Sequence, residues 1–80
     1  MNLTQLRPNV TELKIDGGLT ILYSYGVPVA CKWTNGITDS YSKTEKRWSA
    51  TTSRHINEWI NTAPCLIRSQ YYFNTLAEGL

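Results

Sequence analysis

A glycine pair between two strand-like segments is the feature that most constrains the fold of this chain. In Val10–Ile15 one side of the segment is mostly apolar and the other mostly polar, which is the period of a half-buried β-strand. The turn sequence Asp16-Gly17-Gly18 follows, and glycine adopts positive φ without a steric penalty. Residues 19–25 are then rich in β-branched and aromatic side chains, so the two segments are predicted to form an antiparallel hairpin.

The pair Asn35-Gly36 predicts a second hairpin, because it is the strongest two-residue hairpin signal in the chain. Residues 29–33 before it and residues 37–43 after it have the composition of strands. Together with the first hairpin, they predict a meander of three or four antiparallel strands.

Two segments interrupt or precede this meander. Pro28 falls between the second and third strands, and a proline there indicates either an edge strand or a bulge. Residues 1–9 lack a clear pattern and are predicted to be an N-terminal arm. Residues 10–80 are predicted to be a single domain, since a chain of 80 residues is too short for two cores.

The second half changes to a helical pattern. Within residues 54–61, apolar side chains recur at the i, i+3 and i+4 positions of one helical stripe: Ile56, Trp59 and Ile60. Thr52 or Ser53 is the predicted N-cap, because a hydroxyl oxygen accepts from the free amides of the first turn. The proline at position 64 ends the helix.

Residues 69–78 predict a second, short helix that buries Tyr72, Phe73 and Leu76 and stops at Gly79. Residues 65–67 are either an extended connector or a short last strand. The predicted fold class is α+β: an antiparallel three- to four-stranded sheet with one packed helix and a short C-terminal helix. The alternative is a mostly β domain with an irregular C-terminal third.

The residue inventory argues against an enzyme and against any cofactor. His55 is the single histidine, so a site built from several histidines is impossible. Neither Cys31 nor Cys65 lies in a recognisable catalytic context, although a cysteine–histidine pair that forms only in space stays open. The carboxylates are scattered singly, and the glycine pair lacks the lysine and serine of a phosphate-binding loop.

Cysteine use and hydropathy predict a cytoplasmic protein without a membrane segment. Two cysteines are too few for a disulfide framework. A single bridge between Cys31 and Cys65 stays open, and reduced core cysteines are the favoured interpretation. The start of the chain lacks the apolar stretch of a signal peptide. Apolar runs are only a few residues long, whereas a membrane span needs about 20.

A basic cluster before and within the first helix is the main candidate contact site. Its cations are Lys43, Lys46, Arg47 and Arg54, with Trp48 among them and Glu45 opposing them. Such a cluster beside a helix N-terminus suits a phosphate, an acidic protein surface or a nucleic-acid backbone. A solvated loop with ordinary solubility charges explains it equally well.

The aromatic side chains are a second candidate. Tyr23 and Tyr25 are two positions apart and are predicted to share a face of a strand, while Trp33 and Tyr41 flank the second hairpin turn. Exposed rings on a sheet stack on unpaired bases in single-strand binders. Core packing is the favoured interpretation of most of these rings in a domain this small.

Two segments resemble a known family. They are Leu-Tyr-Ser-Tyr-Gly-Val-Pro-Val-Ala at residues 22–30 and Lys-Arg-Trp-Ser-Ala-Thr-Thr-Ser-Arg-His-Ile-Asn-Glu-Trp at residues 46–59. Both are similar to segments of small proteins of unknown function encoded by tailed bacteriophages, and residues 69–76 are similar to the closing segment of that family. The resemblance implies a phage genome and the cytoplasm of an infected bacterium. It brings no known activity and no functional residue.

Three functional hypotheses follow. The first is a non-catalytic module that binds and modulates a host or phage protein through residues 43–53 and the exposed side of the next helix, namely Arg54, His55 and Glu58. The second is a nucleic-acid-binding accessory protein of phage DNA metabolism, with the cations on phosphates and Tyr25 or Trp48 on bases. The third is self-assembly as a homo-oligomer through an exposed sheet edge, or a role as a virion component.

Overall fold

The computed structural model describes residues 2–79, which form one six-stranded sheet and two helices. The elements in chain order are β1 (Asn2–Arg7), β2 (Val10–Ile15), β3 (Leu19–Ser24), β4 (Val27–Thr34), β5 (Asp39–Thr44), α1 (Ala50–Ile60), β6 (Cys65–Arg68) and α2 (Gln70–Glu78). The strands lie in the sheet in chain order. Strands β1 to β5 pair antiparallel, and β6 pairs parallel to β5. The α+β class is confirmed.

The strand β3 is buried on both faces of the sheet. Ile21 and Leu22 are each 0% exposed, and consecutive side chains of a strand point to opposite faces. Leu22 belongs to one apolar cluster with Ile56 and Ile60 of α1. Ile21 belongs to a second cluster with Phe73 of α2. The two helices therefore cover opposite faces of the sheet, and we call these the α1 face and the α2 face.

The predicted turns are present, and their geometry explains the residues that form them. Gly18 has φ of +91°, and a Cβ there would lie 2.3 Å from the carbonyl oxygen of Thr34, so only glycine fits. Asn35 begins a four-residue connection rather than a two-residue turn, and its Oδ1 accepts from the amides of Ile37 and Thr38 at 2.9 and 2.8 Å. The interruption before Pro28 is a tight turn through Tyr25 at φ of 53° and Gly26 at 79°.

Pro28 lies within β4, where the sequence predicted an edge strand or a bulge. The register of β3 against β4 shifts between Leu22 and Tyr23, where Tyr23 pairs with Pro28, so the bulge is confirmed. The edge-strand alternative is wrong, because β4 lies between β3 and β5. The Pro28 carbonyl oxygen accepts a hydrogen bond from Gln70 Nε2 at 2.8 Å.

The sheet has six strands rather than the predicted three or four, because β1 was not recognised and β6 was left open. Within the predicted N-terminal arm, Asn2–Arg7 forms β1, whose residues are all exposed. A strand without a buried side shows no alternating pattern, so only its pairing with β2 defines it. Residues 65–67, for which connector and strand were both open, belong to β6.

Both helices are present, with one correction. The first helix begins at Ala50, and its N-cap is Ser49, whose side chain accepts from the Thr52 amide at 3.1 Å. The prediction of Thr52 or Ser53 as the cap is therefore wrong. Asn61 ends α1 with φ of 61°. The second helix has Ser69 as its N-cap and Gly79 as its C-cap, and it buries Phe73 as predicted.

A polar contact between buried side chains joins α1 to β3. Ser24 Oγ lies 2.9 Å from His55 Nδ1 and 3.1 Å from Thr52 Oγ1. All three residues are buried, with 2%, 7% and 5% of their surface exposed, so each polar group needs a partner inside the protein. Burial lowers the pKa of His55, and the charges of Arg7 and Arg54 lower it further.

The packing of α2 on the sheet is tested by truncating Phe73. Phe73 is 0% exposed, so Phe73→Ala is expected to lower the free energy of unfolding by about 3–5 kcal/mol. The matched control is Tyr71→Ala on the same helix, at a side chain 77% exposed, with an expected change within about 0.5 kcal/mol. Urea unfolding of the two variants measures both changes. Equal stability of the Phe73→Ala variant and the parent would show that α2 does not pack on the sheet.

The protonation of His55 links the stability of the fold to pH. Because the pKa of His55 is lowered in the folded state, the unfolded chain binds the proton more tightly, and stability falls as the pH drops below the unfolded value of about 6.5. His55→Asn is expected to remove this part of the pH dependence. Urea unfolding between about pH 8 and about pH 5 measures it. An unchanged pH dependence in the variant would assign the effect to other groups.

Candidate binding cleft

A cleft of about 370 Å³ opens on the α1 face, between the end of β5, the following loop and the first turns of α1. Its lining residues are Lys43, Thr44, Glu45, Lys46, Arg47, Ser53, Ile56, Asn57 and Ile67. Ile67 reaches the cleft because β6 pairs with β5 in a register that sets Ile67 beside Lys43. We call this feature the basic cleft.

The basic cleft concentrates positive charge. Lys43, Lys46 and Arg47 line it, and Glu45 is the one carboxylate among the described lining residues. Lys46 and Arg47 are exposed, whereas Lys43 is half-buried on β5. An anionic group that enters the cleft therefore meets more positive than negative side chains.

The loop between β5 and α1, residues 45–49, carries two of these cations, and we call it the basic loop. It is held in place by Gln70 at the start of α2. Gln70 Oε1 accepts from Trp48 Nε1 at 3.0 Å and from Thr44 Oγ1 at 2.8 Å. Gln70 Nε2 donates to the Pro28 carbonyl oxygen at 2.8 Å and to Asn74 Oδ1 at 3.0 Å. The side-chain amide of Gln70 therefore joins β4, the end of β5 and the basic loop to α2. Hydrogen bonds thus hold the wall of the cleft in position.

Trp48 belongs to this wall. The Lys46 ammonium nitrogen lies 4.1 Å from the centroid of the Trp48 ring, a cation–π contact. The indole N–H is bonded to Gln70, and the ring is 42% exposed. Lys46 thus lies against one face of the Trp48 ring.

The other predicted site residues lie elsewhere. Arg54 is an exposed residue of α1, one position after Ser53, and does not line the basic cleft. His55 is buried against Ser24, so the prediction that it lies on the exposed side of the helix is wrong. His55 lies inward because it is three positions after the buried Thr52, and residues three apart share one face of a helix.

Tyr25 and Glu58 lie near His55 rather than near the basic loop. The Tyr25 ring is 5.9 Å from the His55 ring, centroid to centroid, and Glu58 forms an ion pair with Arg7 of β1. Glu58 and His55 line a second cleft of about 320 Å³, with Leu6, Arg7, Val10 and Trp59. The predicted site residues therefore divide between two clefts. Basic residues line the basic cleft, whereas His55 and the ion-paired Glu58 line the second cleft.

The predicted aromatic pairs do not form a platform. Tyr23 packs into the cluster on the α2 face, while Tyr25 lies in the turn beside His55 of α1, so the prediction that they share a face is wrong. Tyr41 packs edge-on against Trp59 at 5.7 Å on the α1 face. Trp33 pairs with Leu19, a residue of the cluster on the α2 face.

The cysteines do not join a catalytic group with His55. Cys31 is buried in the cluster on the α2 face, and Cys65 packs against the cluster on the α1 face, so the two thiols are separate and free. Burial raises the pKa of both thiols, which disfavours the nucleophilic thiolate. The partner of His55 is Ser24, whose side chain is 2% exposed and closed to a substrate.

Residues 2–79 contain neither a cluster of metal ligands nor a helix that could span a membrane. In that part of the chain, no group of three or more His, Cys, Asp and Glu side chains is placed to hold a metal ion. No helix there is long and apolar enough to cross a membrane.

Two elements of the cleft were missed by sequence reasoning. Ile67 was missed because its position beside Lys43 depends on the parallel pairing of β6. Gln70 was missed because a single polar residue at a helix start carries no pattern. The helix periodicity of residues 53, 56 and 57 is the signal that could have placed Ser53 and Asn57 on one side of α1.

Comparison with known proteins identifies the chain by family alone. A search of curated proteins and a search of solved structures each found no match. A family model matches residues 1–74, almost the whole chain. The protein belongs to this family, which is described as a family of unknown function (DUF8033).

Proposed function

We propose that the protein is a non-catalytic module that binds an acidic segment of a protein partner in the basic cleft and thereby modulates that partner. The observation that carries the proposal is the mixed lining of the cleft: three cations share it with the apolar side chains Ile56 and Ile67. A protein segment offers carboxylates and apolar side chains together, whereas a phosphate backbone offers charge alone.

The arrangement of aromatic rings favours a protein over a nucleic acid. Single-strand binders place exposed rings along a basic groove. Here Tyr25 lies beside His55, and Trp33 pairs with Leu19 of the cluster on the α2 face. Neither ring lies beside the cleft cations. Trp48 lies beside these cations, but Lys46 lies over its ring. Nucleic-acid binding through the same cations is the second candidate function.

The place of action is part of the proposal. The sequence resemblance to small tailed-phage proteins supports a phage-encoded module that acts in the cytoplasm of an infected bacterium on a host or phage protein. No catalytic residue and no cofactor belongs to this function.

The proposal is tested with a fluorescently labelled peptide of about eight residues in which Glu and Val alternate. Lys46→Glu with Arg47→Glu is expected to weaken peptide binding at least about tenfold, because two attractive charges become repulsive. The matched control is Lys14→Glu with Arg54→Glu, which changes the net charge equally at exposed residues outside the cleft. This control is expected to bind the peptide within about twofold of the parent.

A labelled single-stranded oligonucleotide, titrated across a salt series, decides between the two candidates. If the three cleft cations bind phosphates, log K falls against log salt with a slope of about −2, and affinity for the oligonucleotide exceeds affinity for the peptide. That result would replace the acidic-segment proposal with nucleic-acid binding. If both double variants bind the peptide equally weakly, the net charge of the protein, rather than the basic cleft, is responsible for peptide binding.

A further inference from the structure

The outer edge of β6 is free and lies beside the basic cleft. Within residues 2–79 the sheet ends at β6, which pairs with β5 on its inner side only. A free strand edge presents unpaired backbone amides and carbonyls to another chain. The edge is short, because β6 has four residues, Cys65–Arg68.

The backbone groups of Ile67 point to this free edge. The Arg68 carbonyl oxygen accepts from the Glu45 amide at 2.8 Å, so the backbone groups of Arg68 point inward, toward the end of β5. Successive residues of a strand direct their backbone groups to opposite sides. The Ile67 amide and carbonyl therefore point outward, where an added strand would bond to them.

The side chains of β6 give an added strand a different environment on each of its two faces. Ile67 is 64% exposed and lines the basic cleft with Lys43. Leu66, the residue before it, is 56% exposed and points to the opposite face of the sheet, as alternation requires. An added strand would thus meet Ile67 and the cleft cations on one face, and Leu66 and Arg68 on the other.

We infer that β6 binds the partner segment as an additional strand of the sheet. Acidic and apolar side chains alternate along this partner segment. Its acidic side chains extend past Ile67 toward Lys43, Lys46 and Arg47, and its apolar side chains lie against Leu66. This inference rests on the proposed function and specifies the conformation and the side-chain pattern of the bound segment. The recognition mode is strand addition, in which backbone hydrogen bonds supply affinity and alternate side chains supply specificity.

The opposite edge of the sheet fits such a segment less well. The outer strand β1 exposes Leu3 and Leu6, at 66% and 47%. Its cation Arg7 is already paired with Glu58, and Lys14 of the neighbouring strand lies 3.7 Å from a Glu12 carboxylate oxygen. Charge complementarity to an acidic strand is therefore found at β6.

The test uses N-methylated versions of the alternating Glu-Val peptide. One version is methylated on the backbone nitrogens of its Glu residues and the other on those of its Val residues. Only one set of amides faces β6 in an added strand, so one version is expected to bind at least about tenfold more weakly and the other within about threefold of the parent peptide. Loss with Glu methylation indicates an antiparallel added strand, and loss with Val methylation a parallel one.

The same titrations separate this inference from the proposed function. If both methylated peptides bind like the parent and Lys46→Glu with Arg47→Glu still weakens all three, the cleft binds acidic segments but strand addition is wrong. If both methylated peptides lose binding equally, pairing along one side of the segment is contradicted. If the unmodified peptide does not bind, or if the charge variant leaves its binding unchanged, the proposed function fails and this inference fails with it.

Discussion

The burial of β3 on both faces is the constraint on which the rest of the structure depends. Ile21 and Leu22 are both fully buried and face opposite sides, so the sheet must be covered twice. Residues 2–79 contain two helices, and each covers one face of the sheet. Ile56 and Ile60 of α1 pack on one side and Phe73 of α2 on the other. Loss of either helix from the sheet would expose one of the two apolar clusters to water.

This double cover also creates the basic cleft. The chain leaves β5, crosses the α1 face as a helix and returns as β6 parallel to β5, a connection that a short turn cannot make. The junction between β5 and α1 therefore lies over the last strand pair, where Lys43 and Ile67 are neighbours. Gln70 then joins this junction to α2 through its bonds to Thr44 and Trp48. The cleft is a consequence of how the two helices are connected.

The sequence predicted what depends on local pattern and missed what depends on distant pairing. The strands β2 to β5 and both helices follow from alternation, turn residues and the stripe of Ile56 and Ile60. The edge strands β1 and β6 carry no such pattern, since their definition comes from neighbours in the sheet. At the site, the basic group was identified from charge, but the inward position of His55 depends on how α1 rotates onto Ser24.

The central claim, that the basic cleft and the adjoining edge form the contact surface, is tested most directly by mapping backbone amide chemical shifts. The uniformly ¹⁵N-labelled protein is titrated with the alternating Glu-Val peptide. The account predicts that the largest changes cluster in residues 43–47, 53–57 and 65–68. Changes concentrated instead at β1, at the cleft around Arg7 and Glu58, or along the exposed side of α2 near Tyr71 would contradict it.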